Sequence, residues 1–277
     1  MSNFPQCETL ELVQKDQVLH VTLNRPEARN AMSLTMVAEL ETVFSLIEND
    51  GGVRAVVLRG AGGHFCAGGD IRDMAGARGQ SPKEGGEDPF YRLNRAFGRM
   101  IEQVNNSSKV VIAILEGAVM GGGFGLACVS DVAIAAASAR FGLPETSLGV
   151  IPAQIAPFVV ERIGLTQARR LALLGMRFDG AEASRLGVVH QFCETGDQVD
   201  EVLASAIEQV RKCAPHATSV TKALLHRVGH EPMSRLLDDA ASQFAEAIRS
   251  DEGAEGTMAF MQKRPPRWAE TDSSDKS

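Results

Sequence analysis

The sequence has no CxxC pair, no apolar run near the ~20 residues that a membrane helix requires, and no excess of positive charge. Its five cysteines, Cys7, Cys66, Cys128, Cys193 and Cys213, are odd in number and far apart. Neither a disulfide framework nor a zinc site organises such a chain, and the pattern fits a reducing cytoplasm. A formal net charge of −7 argues against nucleic acid or an anionic membrane as the main partner. The opening residues, MSNFPQCETL, lack a basic stretch followed by an apolar one, so the expected location is the cytoplasm. The six histidines, His20, His64, His190, His216, His226 and His230, show no HExxH or other ligand spacing, and no G-x-S-x-G elbow occurs. A metal site and a Ser-His-Asp enzyme are therefore not expected.

What is present is a chain of 277 residues, 44% of them hydrophobic, enough for one large domain or one domain with an appendage. Short β-branched runs at 18–23, 55–59, 110–115, 132–136 and 188–192 predict strands, and helical periodicity fills the gaps, as at 34–47 and 90–104. Strands alternating with helices predict an α/β fold built from βαβ units. From 199 onward the pattern is helical (199–212, 216–228, 233–249, 252–262), punctuated by Pro215, Pro232 and the pair Pro265 and Pro266. We expect a core over 1–198, a helical module over 199–266 and a disordered tail over 267–277. Residues 76–88, polar and Gly-rich without periodicity, predict a mobile loop.

Two glycine-rich stretches follow apolar runs: HFCAGGD at 64–70 and MGGGFGLA at 120–127. A helical Gly costs up to about 1 kcal/mol relative to Ala, so the backbone must be needed bare. A P-loop would end in Gly-Lys-Ser/Thr, and a dinucleotide fingerprint would place Gly where Leu126 stands; neither fits. Two readings remain: close strand-to-helix packing, or backbone N–H groups presented to a substrate oxygen, the second at a helix N-terminus. The latter is an oxyanion hole.

The segments NRPEARNA (24–31), HFCAGGDI (64–71), EGAVMGGG (116–123), FGLPE (141–145) and LGVIP (148–152) occur in this order. Together they resemble the enoyl-CoA hydratase/isomerase (crotonase) family over about 8–266. The resemblance implies a ClpP-like spiral of ββα units, a helical C-terminal part that builds trimers and hexamers as paired trimers, and acyl-CoA thioester substrates with no further cofactor. Carried over by residue, it implies an oxyanion hole from the N–H groups of Ala67 and Gly122, with Cys66, Gly68, Asp70, Ile71 and Gly121 of the two glycine-rich stretches among the residues that bind the substrate or its CoA. Cys66 is expected to pack rather than attack, and Asp70 to fix its turn. It also implies Arg25 where CoA phosphates pass, Ala153 beside the acyl group, and Phe260 and Lys263 reaching CoA from a neighbouring subunit. Met74, Phe90, Phe97 and Met120 are candidate apolar walls, and equally candidate core.

Hydration needs a group that handles the water proton and one that protonates the α-carbon. Well-known hydratases of the family use two glutamates. One matches Glu145; the other falls on Gly125. A single acid also serves family isomerases, which leaves that reading open. The run IPAQIAPFVVERIG at 151–164 followed by ARRL at 168–171 resembles bacterial 3-methylglutaconyl-CoA hydratases and, more closely, isohexenylglutaconyl-CoA hydratases. Those substrates carry a second carboxylate that could help position or activate water. On that reasoning Gly125→Glu is expected to raise activity on crotonyl-CoA and lower it on the dicarboxylic thioester. A scaffold or RNA-associated homologue is the non-enzymatic alternative.

Overall fold

The computed structural model describes residues 4–79 and 86–269. The chain divides into two compact units, Met1–Ala204 and Ser205–Ser277, so the division falls inside a helix rather than at 198/199.

The first unit runs β1 (Leu10–Lys15), β2 (Val18–Leu23), α1 (Leu34–Ile47), β3 (Ala55–Gly60), α2 (Ile71–Arg78), α3 (Pro89–Asn106), β4 (Val110–Leu115), β5 (Ala118–Met120), α4 (Gly122–Val129), β6 (Val132–Ala136), β7 (Arg140–Gly142), a 3-10 turn at Glu145–Leu148, α5 (Ala156–Leu173), β8 (Arg177–Asp179), α6 (Gly180–Arg185) and β9 (Gln191–Cys193). One sheet has the order β1-β2-β3-β4-β6-β9, and a smaller one has β5-β7-β8. Only the β1/β2 hairpin is antiparallel in the large sheet; β2, β3, β4, β6 and β9 are parallel. The chain thus steps from the large sheet to the small one and returns through a helix, as in β4-β5-α4-β6. β3, β4 and β6 are buried along almost their whole length, which is why they read as unbroken apolar runs instead of alternating ones.

Ser33 Oγ accepts the Met36 N–H at 3.2 Å and caps α1. The helix then buries Met36, Val37, Leu40, Val43, Phe44 and Ile47 at helical spacing. Phe124 of α4 meets Phe141 of β7 edge-on at 6.2 Å, and Phe141 stacks on Phe178 of β8 at 5.5 Å. These rings seat α4 against the small sheet, and the start of α4 is where the site forms.

In the second unit, the end of α7 (Gly196–Lys212) is followed by α8 (Pro215–Arg227), α9 (Met233–Arg249) and α10 (Asp251–Met261). Leu236 is the buried residue of α9, while Leu237, Phe244 and Ile248 of the same helix lie open.

Three expectations are corrected. Of 188–192, only Gln191 and Phe192 enter β9, because the N–H groups of Val188 and Val189 turn back to Ala183 O at the end of α6. Residues 76–88 are not one loop: Gly76–Arg78 complete α2, and Asp88 caps α3 by accepting the Phe90 N–H at 2.7 Å; 80–85 lie outside the described residues. Arg267–Ala269 form a 3-10 turn, with the Arg267 N–H on Glu255 Oε1 at 2.9 Å and Trp268 Nε1 donating to Lys212 O at 3.1 Å. The tail from 270 lies outside the described residues.

Candidate active site

The two glycine-rich stretches are joined by backbone hydrogen bonds. The Cys66 N–H donates to Ala118 O at 2.8 Å, and the Met120 N–H donates to Cys66 O at 2.9 Å. On its other side the first stretch is held by Met32, whose N–H donates to Gly68 O at 2.8 Å and whose O accepts the Asp70 N–H at 3.0 Å. Asp70 then caps α2 through the Arg72 N–H, 2.8 Å, and accepts Arg25 Nη2 at 2.7 Å. Burial pushes the Asp70 carboxyl up, but the hydrogen bonds from Arg25 and Arg72 and their charges outweigh it and leave the group below the usual carboxylate range. Asp70 is a fixed anion that shapes the turn. Arg25, matched by resemblance to the CoA phosphate path, is 15% exposed and also donates to Ala31 O at 2.5 Å. Its charge is committed to Asp70.

The glycines of the second stretch have different reasons. Gly121 adopts φ 50°, ψ −114°, a conformation that L side chains rarely enter. A Cβ on Gly122 would press on the Phe97 ring at 3.0 Å, and one on Gly123 would sit 2.7 Å from Cys66 Cβ. Close packing therefore accounts for Gly123. Gly122 opens α4, so its N–H has no acceptor within the helix, and none is found elsewhere among the described residues. The Ala67 N–H, its expected partner in the oxyanion hole, donates to Arg29 O at 3.0 Å. Arg29 and Asn30 hold left-handed φ values of 49° and 55°, and the Asn30 side chain bridges Arg25 N, Ala61 O and His64 O. The carbonyl facing Ala67 is thus rigidly placed, a feature with no sequence signal. Gly68, at φ 104°, gives its N–H among the described residues to Cys66 Sγ at 3.5 Å. Burial pushes the Cys66 thiol up to about 11, which leaves it protonated and unreactive at neutral pH.

Glu145 begins the 3-10 turn after β7. Its Oε1 lies 3.0 Å from the place a Cβ on Gly121 would take, and its Oε2 is buried with no hydrogen-bond partner among the described residues. Burial raises the carboxyl above the ordinary glutamate value. A buried carboxylate oxygen without a partner is costly, and this one stands where the two turns meet.

Gly125 has the opposite surroundings. A Cβ there would overlap the Ile155 Cγ2 methyl and come within 2.9 Å of Ile101 Cδ1. Both isoleucines are buried. The position of the absent acid is therefore filled by this chain's own side chains, which corrects the expectation that Gly125→Glu restores a working acid.

Among the candidate walls, Phe97 covers Gly122, Met74 Cε lies against Gly69 and Met120 Sδ against Gly142, while Ile71 and Phe90 are exposed. Ala153 is exposed too, its N–H turned to Ile151 O at 2.8 Å. Next to it Gln154 is bonded to Asn94 and Arg95 of α3, a connection that the sequence reading did not include. In the second unit, Phe260 is fully open and Lys263 adopts φ 54° just past α10. Among the described residues no group of three His, Cys, Asp or Glu is arranged to hold a metal, and no helix is long and apolar enough to cross a membrane.

Comparison with known proteins shows the family. The family model described as enoyl-CoA hydratase/isomerase matches residues 13–271. The crystal structure of an enoyl-CoA hydratase/isomerase from Marinobacter aquaeolei is 72% identical, with TM-score 0.93, covering 95% of this chain and 100% of that one. Pseudomonas aeruginosa AtuE is 59% identical, with TM-score 0.91 and the same coverages. The mevalonyl-coenzyme A hydratase of Beauveria bassiana is 35% identical over 264 residues, 92% of each chain. With the two glycine turns joined, the first N–H of α4 bare and Glu145 beside it, the chain belongs to the enoyl-CoA hydratase/isomerase family and adopts the crotonase fold.

Proposed function

We propose that the protein is a hydro-lyase that adds water to the double bond of a branched, glutaconyl-type enoyl-CoA, with isohexenylglutaconyl-CoA as the favoured substrate and 3-methylglutaconyl-CoA as the second. The observation that carries this reading is the buried, unpartnered Oε2 of Glu145. The thioester oxygen is received by the Gly122 N–H and by the Ala67 N–H, the latter in a three-centre bond shared with Arg29 O. As charge builds on that oxygen, these donors stabilise it. The Glu145 carboxylate takes a proton from water as the oxygen adds to the β-carbon, and the protonated acid returns that proton to the α-carbon. One acid completes the cycle, so the filled position beside Gly125 is no obstacle.

Support for a branched substrate comes from the 151–164 run and from the likeness to mevalonyl-coenzyme A hydratases at 35% and 31% identity. The runner-up is a single-acid isomerase; one relative at 30% identity is named a Δ(3,5)-Δ(2,4)-dienoyl-CoA isomerase. In the assembly we propose, a trimer or a hexamer of paired trimers in the cytoplasm, the open apolar residues of α9 pack on a neighbour and Phe260 and Lys263 meet its CoA.

The test is a panel of crotonyl-, 3-methylglutaconyl- and isohexenylglutaconyl-CoA, followed in both directions, with a 3-enoyl-CoA beside it. Highest kcat/KM on a glutaconyl thioester is expected; migration of the double bond in the 3-enoyl-CoA without hydration would favour the isomerase. A scaffold would show no Tm shift with any of them, whereas a ligand at 100 times its Kd stabilises by about 2.7 kcal/mol.

A further inference from the structure

We propose that Arg95, presented by Gln154 and Asn94, is the cation that receives the second carboxylate of a dicarboxylic enoyl-CoA. The inference rests on the glutaconyl-type reading above and assigns its specificity residue.

The placement follows from two helices that run side by side. The Phe97 ring of α3 lies at Gly122 of α4, and Ile101 of α3 lies at Gly125 of α4, so the two helices advance together. One turn before Phe97 and Gly98, about 5.4 Å back along α3, stand Asn94 and Arg95. Asn94 stands level with the space beyond the start of α4, into which the bare Gly122 N–H points, while the Arg95 side chain runs forward over Gly98 to Glu102 and sets its guanidinium level with the first turn of α4. An acyl group held at that N–H would run along α3 toward Gly98, where the Arg95 guanidinium lies.

Gln154 organises the turn. Its side chain lies over Gly98, where any Cβ would overlap Gln154 Oε1 and come within 2.6 Å of Arg95 Nη1. Arg95 Nη1 donates to Gln154 Oε1 at 3.3 Å, and Gln154 Nε2 donates to Asn94 Oδ1 at 2.8 Å. Each amide oxygen thereby accepts one hydrogen bond, and Asn94 Nδ2 has no acceptor among the described residues. What the cluster still offers is donors: a guanidinium and an amide N–H, the set that suits a carboxylate.

Three other arginines of the first unit are already engaged. Arg25 is bonded to Asp70 and Ala31 O, Arg59 to Glu116, and Arg162 to the carbonyls of Val188, Ala127 and Ser130. Arg95 has one anionic partner among the described residues, Glu102, at 2.7 Å with side chains 35% and 52% exposed. Such a solvent-exposed pair is weak, and a substrate carboxylate can replace it.

The experiment compares kcat/KM for two thioesters that differ by the distal carboxylate, 3-methylglutaconyl-CoA and 3-methylcrotonyl-CoA, in the wild type and in Arg95→Gln, Arg95→Lys and Glu102→Gln, with isohexenylglutaconyl-CoA as a second diacid. The diacid-to-monoacid ratio should fall on the order of 10- to 100-fold in Arg95→Gln, the range of a charged hydrogen bond, mainly through KM. Arg95→Lys should restore part of it, and Glu102→Gln should lower KM for the diacids. An unchanged ratio in Arg95→Gln overturns the assignment, whether both substrates suffer alike, as for a structural or water-orienting role, or neither does. If that happens while the wild type hydrates the diacids, the glutaconyl reading stands and Arg95 alone falls. A wild type that hydrates 3-methylcrotonyl-CoA but neither diacid removes both.

Discussion

Glu145 and Gly125 flank the same turn, yet the fold treats their surroundings in opposite ways. At Glu145 a carboxylate oxygen is buried with no partner among the described residues; at Gly125 two isoleucines stand where any Cβ would go. The first arrangement costs stability, and the proposed mechanism uses it. The second contributes stability and has no chemistry. A crotonase with one acid is therefore not a two-acid enzyme with a vacancy, because the second position has been rebuilt as core.

The largest effect that sharpens this contrast is expected for Gly125→Glu. A charge placed against Ile155 and Ile101 is both overpacked and unpaired, and an uncompensated buried charge costs about 3–5 kcal/mol. Denaturant unfolding should show that loss, and crotonyl-CoA hydration should not improve. Next comes Ile155→Ala, which leaves Gly125 uncovered and should cost about 2–5 kcal/mol, read from the same unfolding curves. A loss below about 0.5 kcal/mol, the range of surface substitutions, would mean that the isoleucine is not core.

The smallest effect has the opposite sign. Glu145 has a raised folded-state pKa, so the folded chain binds this proton more tightly than the unfolded one does. Its contribution to stability is fully present below the unfolded value of about 4.3 and is lost as pH rises through the folded value. Glu145→Gln should therefore have a higher Tm than the wild type at pH 7, with the difference closing below about pH 4. A lower Tm at pH 7 would show that Glu145 is held by favourable contacts instead.

Much of this was legible in the sequence, and the exceptions have physical causes. The strands at 18–23, 110–115 and 132–136 show as short apolar runs and the helices at 34–47 and 233–249 carry their own periodicity, and all are found with those bounds. Three-residue strands such as β5, β7 and β8 are too short to show any period; their pairing is decided by the neighbouring chain. The motifs placed Glu145 and the glycines, whose identities are what the proposed chemistry needs. They could not show that Ile155 fills the space beside Gly125, or that Arg29 O meets the Ala67 N–H, because those contacts join segments distant in the sequence, in one case through backbone atoms that every residue has. Gln154 offered the one overlooked signal, an amide in an otherwise apolar run, IPAQIAP.

The central claim is that Glu145 alone carries the proton, and the measurement that meets it most directly is turnover of Glu145→Gln on the best glutaconyl thioester at pH 7, with binding of a CoA thioester followed in parallel. The account predicts a fall of about 10²- to 10⁴-fold in kcat with the CoA thioester still bound. A variant that binds as the wild type does and keeps more than about a tenth of its turnover would contradict it.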